Sequence, residues 1–134
     1  MASPVKGGAV LFSEMTPPED GEDVFNNWYD NHHMPSHVQG VPGFLSGHRY
    51  RSANGPYYLA IYELDSPEAL DHQEYRKRKF TPDAPTKAML DEVTGFSRYI
   101  ASERRFYIRD SLDFDPIDAD VVIAIFFKVP GDRR

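Results

Sequence analysis

The sequence predicts an α+β domain whose elements run β-α-β-β-α-β, with an antiparallel sheet and one extra strand at the end. Three observations carry that prediction. Short apolar or alternating runs recur at Val5–Phe12, Phe44–Arg51, Tyr57–Leu64 and Phe96–Ile108. The first two runs, and the last two, are separated by segments with helix-start signals and helical spacing. The chain of 134 residues suits one domain and is long enough to bury a core without disulfides or metals.

Val5–Phe12 is apolar and rich in small residues, and Thr16-Pro17-Pro18 ends it. Asp20 stands where a helix cap is needed, with Asp23 three residues on. Phe25, Tyr29 and His33 then fall at i, i+4, i+8, and Trp28 and His32 repeat the same step. Pro35 is expected to end or kink this helix, because it lacks an N–H and disfavours helical geometry at Met34. Pro42-Gly43 is a turn. In the next strand Phe44, Ser46, His48 and Tyr50 alternate with Leu45, Gly47, Arg49 and Arg51. Asn54-Gly55-Pro56 closes a hairpin into Tyr57–Leu64. Ser66-Pro67-Glu68 opens a second helix that carries Leu70 and Tyr75 to about Lys79. A further helical piece, Thr86 to Val93, stops at Gly95, before the strand Phe96–Ile108. The resulting order is the ferredoxin-like split βαβ unit. We divide the chain into that unit, residues 1–109, and residues 110–134, an acidic connector with the accessory strand Val121–Lys128. That strand has no following partner in the chain, so it is expected to pair in the same sheet or with a second subunit.

Composition narrows the function. Fifteen Lys plus Arg against 21 Asp plus Glu give a net charge of −6, which argues against nucleic acid and anionic membrane as partners. The absence of cysteine removes disulfides, thiolate nucleophiles and Cys-ligated zinc. The longest apolar run, Val121 to Phe127, is far short of the roughly 20 residues a membrane helix needs, and no secretory h-region stands at the N-terminus. A cytoplasmic protein is the expectation.

Phe25-x-x-Trp28-Tyr29-x-x-x-His33-x-Pro35, followed by Val41-Pro42-Gly43-Phe44, resembles the EthD-type signature of the dimeric α/β-barrel superfamily. The likeness extends through Tyr57–Leu64 and covers about residues 5–109. It implies a ferredoxin-like dimeric α/β barrel, hence a homodimer packed sheet on sheet. The superfamily includes polyketide cyclases and dehydratases, lactone isomerases, cofactor-free quinone-forming monooxygenases and haem-dependent enzymes.

Four of the five histidines lie between positions 32 and 48. His33 is the first candidate: a neutral imidazole against aromatic walls can serve as a base near neutral pH. His48 and Tyr50 are expected to share a strand face that reaches the same substrate, completing a catalytic set of His33, His48 and Tyr50. Phe25, Trp28, Tyr29, His37, Tyr58 and Tyr62 are the expected substrate-binding residues, the tyrosine hydroxyls serving as donors to an oxyanion. His33 and His37 have a metal-like i, i+4 spacing, but Pro35 interrupts the turn and no third ligand stands out, so no metal and no cofactor is expected. Arg76-Lys77-Arg78-Lys79 reads as a solvated helix end, and Asp110, Asp113, Asp115, Asp118 and Asp120 as an acidic linker without the glycine and glutamate of a calcium loop. The functional expectation is a cofactor-independent lyase or isomerase. His33 would take a proton beside a carbonyl of a small oxygenated aromatic, polyketide-like or lactone substrate. The alternatives are a cofactor-free monooxygenase of hydroquinone-like substrates, which would use the same residues, and a non-catalytic binding or assembly module. The module predicts a pocket closed by side chains, or His33 buried against backbone.

Overall fold

The computed structural model describes residues 8–102 and 120–125. Its sheet has the order β2-β3-β1-β4, built from β1 (Ala9–Thr16), β2 (Phe44–Arg51), β3 (Tyr58–Leu64) and β4 (Thr94–Ala101), and every neighbouring pair is antiparallel. This is the predicted ferredoxin-like arrangement. β1 lies four residues later than its apolar run suggested. The reason is visible in its alternation: Ala9, Leu11, Ser13 and Met15 are buried on one face, while Val10 and Phe12 pack on the other, so Ser13 and Glu14 belong inside the strand.

The first helix departs most from expectation. Asp20 does not cap it; Gly21 holds that position, and Asp20 itself adopts a positive φ of 57°. Nor does Pro35 end it. α1 (Glu22–Trp28) passes into a π-helical turn (Tyr29–His33) and continues as α2 (Met34–Gly40). The Met34 N–H bonds to the Tyr29 carbonyl, one residue beyond the α-helical partner. Widening the turn just ahead of Pro35 accommodates a residue that has no N–H and crowds the preceding carbonyls.

The segment expected to be one helix from Ser66 to about Lys79 is split into a 3₁₀ turn, Pro67–Asp71, and α3 (Gln73–Phe80), with extended His72 between them accepting the Glu74 N–H. α4 (Ala84–Leu90) begins at Asp83, whose side chain accepts the Thr86 N–H at 3.0 Å. Residues 121–125, expected to start the accessory strand, form no strand, and four of the five are exposed, Val121 and Ile123 by 78% and 83%. Val122 instead packs against the helix-free face of the sheet with Val10 and Ile61. The rest of that predicted strand, the end of Phe96–Ile108 and the division at residue 110 lie outside the described residues.

Among the described residues, the helices lie on one face of the sheet; on the other, Val10 and Ile61 are also buried. The main core lies beneath the helices: Leu11, Met15, Tyr62 and Leu64 from the sheet meet Phe25, Trp28 and Tyr29 from the first helix and Tyr75 from α3. Burying this many rings supplies most of the apolar area that holds helix to sheet.

Candidate active site

The π turn sets the site. In an α-helix, residues five apart do not stack, but here the extra residue in the turn lays the His33 imidazole on the Trp28 indole, centroids 4.4 Å apart and 24° from parallel. Tyr29 meets the same imidazole edge-on at 4.9 Å and His37 at 4.7 Å. The indole is fixed in turn by its Nε1–H, which donates to Thr86 Oγ1 at 3.2 Å. His37 is buried, and its Nδ1–H donates to the His33 carbonyl at 2.9 Å. A carbonyl only accepts, so this bond puts the neutral His37 proton on Nδ1 and leaves Nε2 as the acceptor.

His33 and His37 border a cavity of about 300 Å³ between the helices and the sheet. Its floor is made by Leu11 and Ser13 of β1, Tyr29 and Tyr62; Tyr75, Arg78 and Lys79 of α3 and Phe96 and Arg98 of β4 also line it. A second hollow, of about 250 Å³ and more polar, touches the other side of the same two histidines. The cavity is not filled by side chains.

Burial, with smaller effects from His37, His32 and Arg49, lowers the His33 imidazole to about 3, so it is neutral at physiological pH. Burial also keeps His37 below the ordinary histidine range. Tyr29 is raised by burial, an effect partly offset by the hydroxyls of Tyr62 and Ser13 and by the Arg49 charge. Tyr62 is pushed well up by burial and by Tyr29. Both phenols therefore stay protonated and can donate. Tyr62 Oη is buried and makes no hydrogen bond of good geometry, although the Tyr29 hydroxyl is close enough to influence it.

Of the residues expected at the site, His33, His37, Tyr29 and Tyr62 converge on the cavity. The others do not. His48 pairs with Ile61 and Tyr50 with Leu59, which places both on the helix-free face, across the sheet from His33. The reason is a bulge: β2 shifts register between Phe44 and Ser46, so Leu45 is an extra residue and Phe44 does not share a face with Ser46, His48 and Tyr50. Phe25 is fully buried and lies behind Tyr29 rather than on the cavity, and Trp28 supports His33 from behind. Tyr58 has its hydroxyl committed to Glu22 and Asn26 at the start of α1.

Sequence reasoning missed Arg49. From the helix-covered side of β2 its guanidinium lies over the Tyr29 ring at 4.5 Å and the Tyr58 ring at 4.9 Å, bonding Asp30 at 2.6 Å and Asn26 at 2.8 Å. Gly47 was the available signal. A Cβ there would meet Met34 Sδ at 2.8 Å, so this face of the strand must be the one the helix approaches. Ser13, Tyr75, Arg78, Lys79 and Arg98 were missed as well. Contrary to the expectation of a solvated helix end, the last two members of the basic tetrad, Arg78 and Lys79, line the cavity.

No family model matches the chain, and no curated protein matches it. Solved structures do. A monooxygenase, ActVA-Orf6 of Streptomyces coelicolor, in complex with the ligand nanaomycin D, aligns at a TM-score of 0.60 and 13% identity, over 78% of this chain and 94% of that one. SnoaB, a cofactor-independent oxygenase from Streptomyces nogalater, aligns at 0.54 and 17%, over 75% and 97%. A dimeric ferredoxin-like protein from an uncultured marine organism aligns at 0.57 and 14%, over 77% and 94%. At these identities the likeness establishes the shared ferredoxin-like α+β fold. Among the described residues no helix is long and apolar enough to cross a membrane.

Proposed function

We propose that the chain is a cofactor-independent oxygenase of small hydroxylated aromatic substrates, with His33 as the proton acceptor. The observation that carries this reading is the neutral His33 imidazole on the wall of an aromatic cavity, facing two protonated tyrosines, Tyr29 and the buried Tyr62. The printed descriptions of the structural neighbours as monooxygenase and cofactor-independent oxygenase support the same direction over a lyase or isomerase. The EthD-like assignment and the lyase or isomerase course remain the second reading. It shares the proton abstraction and omits dioxygen.

The chemistry balances without a cofactor. A ring CH₂ activated by a neighbouring carbonyl loses a proton to His33, and its electron pair stays on carbon. Tyr29 and Tyr62 donate to the oxygen on which negative charge develops. Dioxygen accepts the electrons and bonds to that carbon. The peroxide takes the proton back from His33 and expels water, so CH₂ plus O₂ becomes C=O plus H₂O. Arg49, held over Tyr29, keeps that ring in place.

The assembly belongs to the same proposal. We also assign a homodimer: on the sheet face opposite the helices Val10 and Ile61 are already buried within the chain, and Phe12, Leu59 and Tyr50 keep part of their surface for a two-fold contact with a second copy, burying at least about 1,200 Å². The dimeric description of one neighbour supports this. Oxygen-electrode measurements with anthrone test the activity. The reading expects stoichiometric oxygen uptake and quinone formation that fall with His33→Ala. Turnover of such a substrate without oxygen uptake would favour the second reading.

A further inference from the structure

The chain carries a net charge of −6, yet the cavity wall holds Arg78, Lys79 and Arg98 and no carboxylate. The three cations are unequally matched. Arg78 Nη1 bonds Glu74 Oε1 at 2.8 Å and the Glu74 carbonyl at 2.9 Å, so its charge is answered. Arg98 donates to the Tyr75 hydroxyl at 2.6 Å. Among the described residues neither Arg98 nor Lys79 has a carboxylate partner. Lys79 is exposed, and partial burial together with the Arg98 charge holds its ammonium below the ordinary range. Deeper in the cavity the polar groups, Tyr29, Tyr62 and His33, are all neutral.

We propose that Lys79 and Arg98 form an anion-recognition rim, so that this cavity takes an aromatic substrate bearing a carboxylate. The acid group sits between Lys79 and Arg98, and the hydroxylated ring packs below against His33, Tyr29 and Tyr62. The inference rests on the reading of the cavity as the substrate site. A ligand with one anionic end and one hydroxyl or carbonyl end would meet both features of the cavity: two cations without a carboxylate partner among the described residues, and the buried Tyr62 hydroxyl beside Tyr29.

The proposal also resolves a difficulty in the mechanism. An imidazole as acidic as His33 is neutral but a weak base, far from the optimum for proton transfer at neutral pH. Negative charge on the ligand, placed in the same low-dielectric cavity, stabilises the imidazolium and strengthens the base once substrate is bound. A neutral ligand would not.

Calorimetric titration of the wild-type protein with 1-hydroxy-2-naphthoate and with its methyl ester tests the proposal without requiring turnover. The acid should bind at least about tenfold more tightly than the ester, despite the net negative charge of the protein. Lys79→Gln should cut the affinity for the acid about five- to tenfold and leave the ester unchanged. Lys87→Gln, at an exposed position paired with Asp91 on α4, should change neither. Equal affinity for acid and ester, failure of the acid to bind at millimolar concentration, or equal losses in Lys79→Gln and Lys87→Gln would overturn it. Absence of oxygen uptake in the separate electrode assay would overturn the oxygenase reading and leave this binding preference standing.

Discussion

The two faces of the sheet are built from the same strands and differ in almost everything else. On the helix-covered face, Leu11, Ser13 and Tyr62 open onto a cavity with neutral histidine and tyrosine walls and a cationic rim. On the other, Val10, Phe12, Leu59 and Ile61 pack with Tyr50 and Val122, and the buried Glu63 accepts a hydrogen bond from Ser46. Tyr62 and Ile61 are adjacent in the chain and face opposite ways, one onto the cavity and one into the second cluster of buried residues. The difference teaches that the position of a polar residue along a strand matters less than the face on which it lands. One extra residue, Leu45, decides that for all of β2.

The comparison can be broken first at its structural base. Phe25 is fully buried and supports Tyr29 at a centroid distance of 5.5 Å. Phe25→Ala should cost about 3–5 kcal/mol in urea unfolding, because it removes a fully buried ring from the main core. A loss below about 1 kcal/mol would show that the helix-covered face is not packed as described.

Acid should separate the faces as well. The folded His33 titrates near 3 and the unfolded side chain near 6.5, so below pH 6.5 the unfolded chain binds a proton that the native site refuses. Stability from this group is therefore complete above about pH 6.5 and is lost as pH falls towards 3, with a slope of up to about 1.4 kcal/mol per pH unit. The groups that act on it are His37, His32, Asp83 and Arg49. Between pH 7 and pH 5, above the range where carboxylates titrate, His33→Phe should flatten the decline by about 2 kcal/mol relative to wild type. An unchanged slope would mean that the imidazole is hydrated and easily protonated.

A smaller effect tests the bulge itself. Gly47→Ala sets a methyl group against the flexible end of Met34, with an expected cost of about 1 kcal/mol. If Gly47→Ala cost nothing in thermal unfolding, Gly47 would not face the helix. On the other side, Leu59→Asp should convert a particle of about 31 kDa, twice the 15.3 kDa chain, into one of about 15 kDa by light scattering, with the Trp28 emission unchanged. A wild-type protein already at about 15 kDa would remove the assembly role of this face.

Strand identity and helix order were legible because alternation and caps are local signals: Phe44–Arg51 and the hairpin at Asn54-Gly55 needed nothing beyond their own residues. The stripe of Phe25, Tyr29 and His33 was legible for the same reason. The faces of β2 were not, since a bulge leaves alternation intact on both sides of it and changes only the phase. The π turn was hidden too. Pro35 advertises a break, and only tertiary packing of Trp28 on His33 makes a widened turn the better solution. Lys79 and Arg98 lie 19 positions apart on different elements, and nothing local joins them.

The assignment of chemistry to one face is tested most directly by two alanine substitutions in one oxygen-uptake assay with the same aromatic substrate. His33→Ala should lower kcat by about 10²–10⁴-fold, while His48→Ala, across the sheet, should stay within about threefold of wild type. Near-full turnover by His33→Ala together with collapse in His48→Ala would contradict the account and move the active site to the helix-free face.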